Sequence, residues 1–403
     1  MTLSYEQALS VVREKLAQSR PQPAGEVVPL DEARGRILAE AVTADRDYPP
    51  FHRSTRDGFA LRSGDLSALP AGLRSLGEIR AGEYFSGKVG PGQCVSIMTG
   101  APLPDGADAV VMVEHTRASG DLVEILRAVA SWENVVRRGS ETPAGATVLP
   151  RGRRLGAGEL GLLATVGRAR VSVFRQPIVA ILPTGDEIVP VDRRPEWFQI
   201  RNSNAITLTA QVVAAGGCPR RLEIAPDRPE ALRALVEEGL RADLLLLSGG
   251  VSMGKYDYVE KVLAELGAEF YFTSVAIRPG KPLVFGRARE KFFFGLPGNP
   301  VSTYVTFEVF VRPALALLGG APFEPPVFLR ARLARPLQHR LGLRAFMPAR
   351  VELRQGDPVV ELVAWQGSGD LVGVAAANCF LVLPPEQTDL AAGDWVEVLP
   401  KPG

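Results

Sequence analysis

The chain has 403 residues, of which 46% are apolar and 23% are charged. This composition is typical of a folded protein with more than one hydrophobic core and excludes a disordered chain. Lys and Arg total 46 and Asp and Glu total 45, so the formal net charge is +1, and no overall basic field is present to hold nucleic acid. We expect about two to four domains, in which any recognition of an anion is local.

Membrane insertion and thiol or imidazole chemistry are not indicated either. The first residues have neither a basic start nor an apolar signal core, and the apolar run at 371–383 is interrupted by Asn378 and too short to span a bilayer. The three cysteines and three histidines are scattered along the chain, which favours buried structural residues over a disulfide framework or a zinc site. The sequence therefore predicts a cytoplasmic protein with no membrane partner and no nucleic-acid partner.

The beginning of the chain is predicted to be helical. Ser4 can cap a first amphipathic helix whose apolar residues recur at helical spacing up to Leu16, and a second helix is predicted from about Leu30. A leucine-rich stretch at 149–169 has the same character. We assign residues 1–44 and 146–176 to an elongated helical domain that links other parts or forms a dimer.

The rest of the chain is predicted to contain three segments that differ in secondary structure. Residues 45–145 predict a β-rich inserted domain with a hairpin that joins 109–114 to 122–126. Residues 177–325 alternate strand and helix, which predicts a mostly parallel sheet with a ligand crevice at the carboxyl ends of its strands. Residues 326–403 contain short strands and turns, which favour a small β barrel.

The most informative stretch runs from Asp243 to Asp257. Four leucines at 244–247 predict a strand that is buried on both faces. The turn Ser248-Gly249-Gly250-Val251-Ser252-Met253-Gly254 follows it, and a helix begins near Tyr256. Such a turn presents backbone N–H groups to an anion. A carboxylate at each end of the turn would suit Mg²⁺ that bridges phosphate oxygens, although an exposed pair at a helix start is often only solvated.

Three more loops of this segment have anion-binding or metal-binding character. Residues 184–187 contain Asp186 and Glu187, residues 278–282 place Arg278 and Lys281 on a proline-rich turn, and residues 295–302 open a helix. Any one of these loops has an ordinary structural explanation as a turn. Together, on one edge of one sheet, they predict a binding site.

These motifs resemble a known family. Residues 248–254 with Asp257, residues 278–286 (RPGKPLVFG) and residues 295–302 (GLPGNPVS) are similar to the molybdopterin molybdenumtransferases of the MoeA type, a family related to the E domain of gephyrin. Residues 97–114 (IMTGAPLPDGADAVVMVE) and the segment that begins at Asp57 resemble the same family. The resemblance covers nearly the whole chain.

The resemblance implies a homodimer that transfers molybdenum from molybdate to adenylylated molybdopterin with release of AMP, with Mg²⁺ as cofactor. It also implies contacts with the molybdopterin-adenylylating enzyme and with proteins that mature molybdoenzymes. Asp243 and Asp257 would hold Mg²⁺ with the help of Asp186 or Glu187, and Asp57 and Thr99 would close the site from the second subunit. The residues that would bind phosphate or oxyanion are Ser248, Gly249, Gly250, Ser252, Arg278, Lys281, Pro297, Pro300, Ser302, Ser368 and Arg350.

Some positions depart from the family pattern or leave alternatives open. Arg56 stands beside Asp57 where the family has an apolar residue, and Glu141 replaces an aspartate. The arginine nearest the oxyanion is either Arg344 or Arg350, and Ser368 lies in a stretch that a plain β-turn explains equally well.

Two other functions remain as alternatives to molybdenum insertion. A molybdopterin adenylyltransferase would share the α/β segment but not the parts of the chain that flank it, and a non-catalytic scaffold would resemble gephyrin. Residue types alone do not distinguish molybdate from tungstate.

Overall fold

The computed structural model describes residues 2–18, 23–250, 258–339 and 342–402. The chain divides into two units. The smaller unit contains residues 28–34 and 40–171, and the larger unit contains residues 1–27, 35–39 and 172–403. The four-part division expected from the sequence stays a prediction.

The smaller unit is built on a six-stranded sheet. The strand Gly58–Leu61 lies between Ala109–Met112 and Gln93–Ile97 and is antiparallel to both. Because side chains alternate across a strand, Phe59 and Leu61 enter one cluster of buried residues and Ala60 enters another. In spatial order the strands are Ala109–Met112, Gly58–Leu61, Gln93–Ile97, Ala71–Ile79, Leu122–Ile125 and Thr116–Ser119.

The remaining elements of the smaller unit are short. The α-helix Ala157–Thr165 lies near its end. The 3₁₀ helices are Leu30–Glu32, Ser63–Leu66 and Val113–His115, and the two-stranded pairs are Arg53–Ser54 with Val135–Val136 and Val42–Thr43 with Thr147–Leu149. Two more strands, Gly25–Pro29 and Arg170–Phe174, pair with each other, and each contains residues assigned to both units.

Two local expectations were wrong. The helix expected from Leu30 is a single 3₁₀ turn, because Gly35 adopts φ +77°, a backbone conformation that ends helices. The hairpin joins Thr116–Ser119 to Leu122–Ile125, because the 3₁₀ turn at 113–115 separates the preceding strand from it. That preceding strand pairs with Gly58–Leu61 instead.

The larger unit contains a mixed six-stranded sheet with helices on both faces. In spatial order its first four strands, which are parallel, are Cys218–Arg221, Ile178–Pro183, Leu244–Ser248 and Lys291–Leu296, and the last two, which run antiparallel to their neighbours, are Val284–Ala288 and Glu269–Phe272. The two short strands Ile188–Val189 and Ile200–Arg201 pair beside it.

The sheet separates two clusters of buried side chains. Leu244 and Leu246 point to one face and Leu245 and Leu247 to the other, so the strand Leu244–Ser248 is buried throughout. The first face is covered by the helices Tyr5–Gln18 and Ser203–Ala214 and by the helical run at 300–318, and the second by Pro229–Gly239 and Tyr258–Glu265.

The helical run at 300–318 is apolar and long enough to pass for a membrane span, yet 78% of its most apolar window is buried within the protein. It consists of Pro300–Thr306, a π-helical turn at Phe307–Val311 and Arg312–Leu318. It is therefore a core helix of this unit.

The last part of the larger unit is a closed five-stranded barrel. Going round it, the strands are Arg344–Arg354, Asp357–Leu362, Leu329–Leu333, Trp395–Pro400 and Cys379–Leu383, and the last strand pairs with the first. Ala331, Val360, Leu381 and Val398 fill its interior. The helix Leu371–Ala376 and the small strand pair Leu337–Gln338 with Asp389–Leu390 accompany it. The expected fold class, α/β plus β in several domains with a mostly parallel sheet and a small barrel, is confirmed.

Candidate functional site

A cleft of about 910 Å³ lies at the carboxyl ends of the parallel strands of the larger unit. Pro183, Ser248 and Leu296 are in register on three neighbouring strands, so the loops that follow them begin at the same edge of the sheet. The expectation that a crevice lies at this edge agrees with the structure. The described lining residues that the sequence had singled out are Glu187, Ser248, Gly249, Arg278, Lys281, Pro297, Pro300, Ser302 and Ser368.

The glycine turn brings backbone close to the neighbouring loop. Gly249 has φ +95°, and a Cβ on it would lie 2.7 Å from the carbonyl oxygen of Thr184. Gly250 has φ +60°, and a Cβ there would lie 2.8 Å from Val259 Cγ2. Only glycine meets both requirements without strain. Ser252 and Asp257, which continue the same motif, lie outside the described residues.

Two cations line the cleft beside this turn. Arg278 is held by a short parallel pairing of Ile277–Arg278 with Arg344 and Ala345, and Lys281 follows it on the same loop. Gly280 between them has φ +114°, and its backbone packs on Thr306, since a Cβ would lie 2.6 Å from Thr306 Cγ2. Neither cation has an ion-pair partner among the described residues, so both charges are available to an anion.

The start of the helix Pro300–Thr306 forms another wall. Ser302 is 4% exposed. Asn299 stands at the N-cap position but makes no side-chain cap; its Nδ2 instead donates to Ser368 Oγ over 3.0 Å. Val301 N donates to the carbonyl oxygen of Ser368 over 2.9 Å. Ser368 is thus fixed against the helix start.

The segment that carries Ser368 is itself anchored. Asp370 caps the helix Leu371–Ala376 by accepting from Val372 N and Gly373 N. The backbone N–H of Gln366, first among several, holds the pKa of Asp370 below its ordinary value. A carboxylate that stays ionised keeps this cap and so keeps the 366–370 turn in place.

Sequence reasoning missed Asn204 as a residue of the cleft. The helix Ser203–Ala214 is capped by Asn202, whose Oδ1 accepts from Ala205 N. Asn204 is free of that role, and its Nδ2 donates to Ser248 Oγ over 2.9 Å and to Gly298 O over 2.7 Å. Two asparagines around one helix start were the available signal, because one cap needs only one of them.

The acidic residues are distributed differently from the expectation. Glu187 lines the cleft, whereas Asp186 lines a neighbouring cavity and accepts a hydrogen bond from Asp227 N over 3.1 Å. Burial, with the charge of Asp186 as the second cause, raises the pKa of Asp227. The described residues contain no group of three or more His, Cys, Asp or Glu side chains that could hold a metal ion.

Asp243 is not in the cleft. It precedes the strand Leu244–Ser248 and so lies at the opposite edge of the sheet from the glycine turn. Its Oδ2 accepts from Arg175 Nη2 and from Ile178 N, each over 2.8 Å, and Lys291 Nζ lies 3.8 Å from its Oδ1. Strand direction therefore separates Asp243 from Ser248 and Gly249. The expectation that Asp243 shares a metal with Asp257 stays a prediction, since Asp257 lies outside the described residues.

Neither candidate arginine of the barrel lines the cleft. Arg344 is 14% exposed, pairs with Glu6 and Glu397 and lies over the ring of Tyr5. Arg350 is exposed and pairs with Glu352 over 2.8 Å. Both guanidinium groups already have carboxylate partners, and the expected contact of one of them with the oxyanion stays a prediction.

Asp57 and Thr99 belong to the smaller unit and are joined there. Thr99 donates to Asp57 Oδ1 through its backbone N over 2.7 Å and through its Oγ1 over 2.8 Å. These two bonds, the backbone one first, hold the pKa of Asp57 below its ordinary value. The departures Arg56 and Glu141 lie in the same unit, where Arg56 is exposed and Glu141 pairs with Arg53 over 2.8 Å.

Family models match three successive parts of the chain. Residues 3–167 match the MoeA N-terminal region (domain I and II), residues 180–317 match a probable molybdopterin binding domain, and residues 330–401 match the MoeA C-terminal region (domain IV). The first of these ranges contains Asp57 and Thr99, and the second contains most of the cleft.

Curated relatives match over nearly their whole length. A molybdopterin molybdenumtransferase of Bacillus subtilis is 36% identical over 385 residues, covering 93% of this chain and 89% of the relative. One of Nostoc sp. is 38% identical over 389 residues, with coverage of 94% and 89%.

Solved structures agree with these matches. A molybdopterin biosynthesis MoeA protein of Pyrococcus horikoshii superposes with a TM-score of 0.82 at 28% identity, with all of both chains covered. A second structure of such a protein has a TM-score of 0.79 at 32% identity and covers 99% of each chain.

Proposed function

Since the chain belongs to the MoeA family, we propose that its cleft transfers molybdenum from molybdate to adenylylated molybdopterin and releases AMP. The chain is a transferase of molybdenum cofactor biosynthesis, as are the relatives that carry the name molybdopterin molybdenumtransferase. The observation that carries the cleft assignment is the position of two cations, Arg278 and Lys281, beside a glycine turn at the carboxyl edge of a parallel sheet.

The residues of the cleft divide the two substrates between them. The Ser248 hydroxyl at the start of the turn offers a donor to a phosphate of the adenylylated substrate, whereas the backbone N–H of Gly249 already donates to Leu296 O over 3.2 Å. Arg278 and Lys281 attract the tetrahedral oxyanion molybdate, with Ser302 and Ser368 as hydroxyl partners. The cleft holds both anions close together. Arg278 and Lys281 supply positive charge there, where the phosphate bond breaks and AMP leaves.

The cleft residues fit Mg²⁺. This ion is usually bound through one or two carboxylates together with phosphate oxygens, and Glu187 is a carboxylate of the described lining. Glu187 would hold the ion, with Asp257 as the second carboxylate that the family resemblance implies. Bound Mg²⁺ would neutralise and orient the pyrophosphate oxygens. Asp243 and Asp186 are left out of this proposal because their carboxylates lie away from the cleft lining.

The wider setting is proposed from the resemblance. The enzyme is a cytoplasmic homodimer in which Asp57 and Thr99 of one subunit complete the cleft of the other. The molybdopterin-adenylylating enzyme supplies its substrate, and maturation proteins of molybdoenzymes take its product.

The direct test of the reaction measures AMP release from adenylylated molybdopterin with and without molybdate. Lys281→Ala should lower the rate at limiting molybdate by about 10- to 100-fold, the effect of losing one charge-assisted hydrogen bond. Lys291→Ala is the matched control, because Lys291 faces Asp243 at the other edge of the sheet. Asp257→Ala should abolish release. Equal rates with and without molybdate would contradict the proposal.

The same assay separates the two alternatives. ATP-dependent adenylylation of free molybdopterin would favour an adenylyltransferase, but the matches at 3–167 and 330–401 extend well beyond the molybdopterin binding domain. A scaffold would show no AMP release, and Lys281→Ala would leave its partner binding intact.

A complementation experiment tests the shared site. Asp57→Ala and Lys281→Ala subunits are each impaired as homodimers. If the cleft takes Asp57 from the partner, mixed dimers regain up to one intact site. Light scattering that gives a monomer mass, or mixtures that stay as inactive as their components, would contradict this arrangement.

A further inference from the structure

We propose that Asn204 is a positioning residue that fixes the Ser248 hydroxyl as a hydrogen-bond donor to the phosphate of the adenylylated substrate. The inference rests on the proposed function, because it takes that phosphate as the acceptor. Asn204 itself does not contact the substrate in this proposal. By donating to Ser248 Oγ, it leaves the hydroxyl proton of Ser248 free to point toward the substrate.

The orientation of the Asn204 amide is determined by its partners. Its Nδ2 lies 2.7 Å from Gly298 O, and a carbonyl oxygen can only accept, so the group facing it must be the NH₂. The same NH₂ lies 2.9 Å from Ser248 Oγ. Ser248 Oγ therefore accepts from Asn204, since an amide NH₂ cannot accept in return.

This contact leaves the hydroxyl proton of Ser248 unused. A serine hydroxyl has one proton to donate, and Ser248 Oγ has no acceptor among the described residues. Ser248 is 5% exposed, so its proton is not simply given to bulk water. The lining beside it carries Arg278 and Lys281, which are donors only. The acceptor that this corner lacks is an anionic oxygen of the substrate.

Other buried polar atoms around Ser248 also lack a hydrogen-bond partner among the described residues. These atoms are Asn204 Oδ1 and Thr184 Oγ1. Thr184 N donates to Ser248 O over 3.0 Å, so both residues adjoin Ser248 directly. Buried polar groups are normally satisfied. The Thr184 hydroxyl can donate to a phosphate oxygen, whereas Asn204 Oδ1 is itself an acceptor and gives no support for an anion.

Asn204 also ties two walls of the cleft together. Ser248 ends one strand, and Gly298 lies in the loop between another strand and the helix Pro300–Thr306. One NH₂ group bonded to both keeps the glycine turn at a fixed distance from the loop that leads to Ser302.

The test measures the Kd for AMP by titration calorimetry with the full-length protein. Ser248→Ala and Asn204→Leu should each weaken AMP binding about 10-fold, the effect of one hydrogen bond to a charged group. If Asn204 acts through Ser248, the double variant should bind AMP no more weakly than Ser248→Ala alone. Thermal unfolding and circular dichroism show whether each variant is folded.

Asn204→Asp gives a second readout that a merely structural role would not move. Its carboxylate cannot donate, but a protonated carboxyl regains one O–H donor. Relative to the unmodified protein at each pH, its AMP affinity should recover as the pH falls from about 8 to about 5. Asn204→Leu has no proton to gain and should stay flat. The comparison of Asn204→Asp with the unmodified protein decides the matter even if Asn204→Leu does not fold.

Three results would overturn the inference alone, provided that the unmodified protein binds AMP and releases it in the presence of molybdate. They are normal AMP binding by Asn204→Leu, losses in the two single variants that simply add, and an Asn204→Asp profile parallel to that of the unmodified protein. If the unmodified protein neither binds AMP nor releases it, the inference and the proposed function fail together.

Discussion

Asp243 and Ser248 lie at opposite ends of one buried strand, roughly 16 Å apart at about 3.3 Å per residue. Ser248 ends the strand Leu244–Ser248 and lines the cleft, whereas Asp243 precedes it and pairs with Arg175 and Lys291. Two polar residues that flank the same apolar run thus have different tasks. One contributes to the cleft and the other to the stability of the sheet.

Asp243→Asn should lower the free energy of unfolding by about 1 kcal/mol and leave AMP release per folded molecule unchanged. The charge that Arg175 and Lys291 face disappears, but the amide oxygen can still accept from Ile178 N. Denaturant titration measures the first effect and the molybdate-dependent assay the second. A fall in turnover without loss of stability would return Asp243 to the site.

Arg344→Ala should destabilise the protein by about 2 kcal/mol, whereas Arg350→Ala should cost about 0–1 kcal/mol. Arg344 is largely buried between two carboxylates and over the ring of Tyr5. The side chain of Arg350 is 58% exposed and has one carboxylate neighbour at 2.8 Å. Denaturant titrations of the two variants provide the comparison.

The same pair of variants addresses the oxyanion. Because neither guanidinium lines the cleft, the KM for molybdate should be unchanged in both once unfolded material is allowed for. A selective rise of that KM in one variant would identify it as the arginine that the family resemblance implies.

Thr99→Val should raise the pKa of Asp57 part of the way back toward its ordinary value. The side-chain bond is lost, but the backbone N–H of residue 99, which is the larger cause of the lowered pKa, remains. NMR titration of the Asp57 carboxyl carbon measures the change. Thr116→Val is a suitable control, since Thr116 Oγ1 donates to Val113 O in the same unit. An unchanged pKa would mean that the hydroxyl contact does not persist in solution.

The sign of the corresponding pH effect follows from the lowered pKa of Asp57. A folded-state pKa below the unfolded one contributes stability above the unfolded value, and this contribution is lost as the pH falls through the folded value. In Thr99→Val the two values are closer together. The variant should therefore lose less stability on acidification than the unmodified protein, which acid titration of the folded fraction can measure.

Gly249→Ala should be more destabilising than Gly267→Ala and should also weaken AMP binding. Gly267 has φ +77°, and a Cβ added there would meet no atom within 4 Å. Alanine at this position should therefore lower the free energy of unfolding only by the cost of a left-handed backbone conformation, about 1–2 kcal/mol. At Gly249 the added Cβ would also lie 2.7 Å from the Thr184 carbonyl oxygen. Equal effects of the two substitutions on stability and on AMP affinity would mean that the close approach at the turn is unimportant.

Local patterns in the sequence determined the kinds of element and the positions of the turns. Four consecutive leucines before Ser248 predict a doubly buried strand, and glycines at 249 and 250 predict a turn that side chains would obstruct. These features depend on residues a few positions apart, so the order of the chain already contains them. The family resemblance rests on the same local motifs, which is why the fold class could be predicted.

Tertiary structure decided which residues meet. Strand direction separates Asp243 from Ser248, although both flank one apolar run. The contact of Asn204 with Gly298 joins residues 94 positions apart, and no local pattern specifies it. The guanidinium group of Arg344 is of a kind that binds oxyanions. It instead pairs with the carboxylates of Glu6 and Glu397, which are far away in sequence. The physical reason is that periodicity and turn chemistry act over a few residues, whereas charge pairing and hydrogen-bond partners are chosen by the packing of the whole chain.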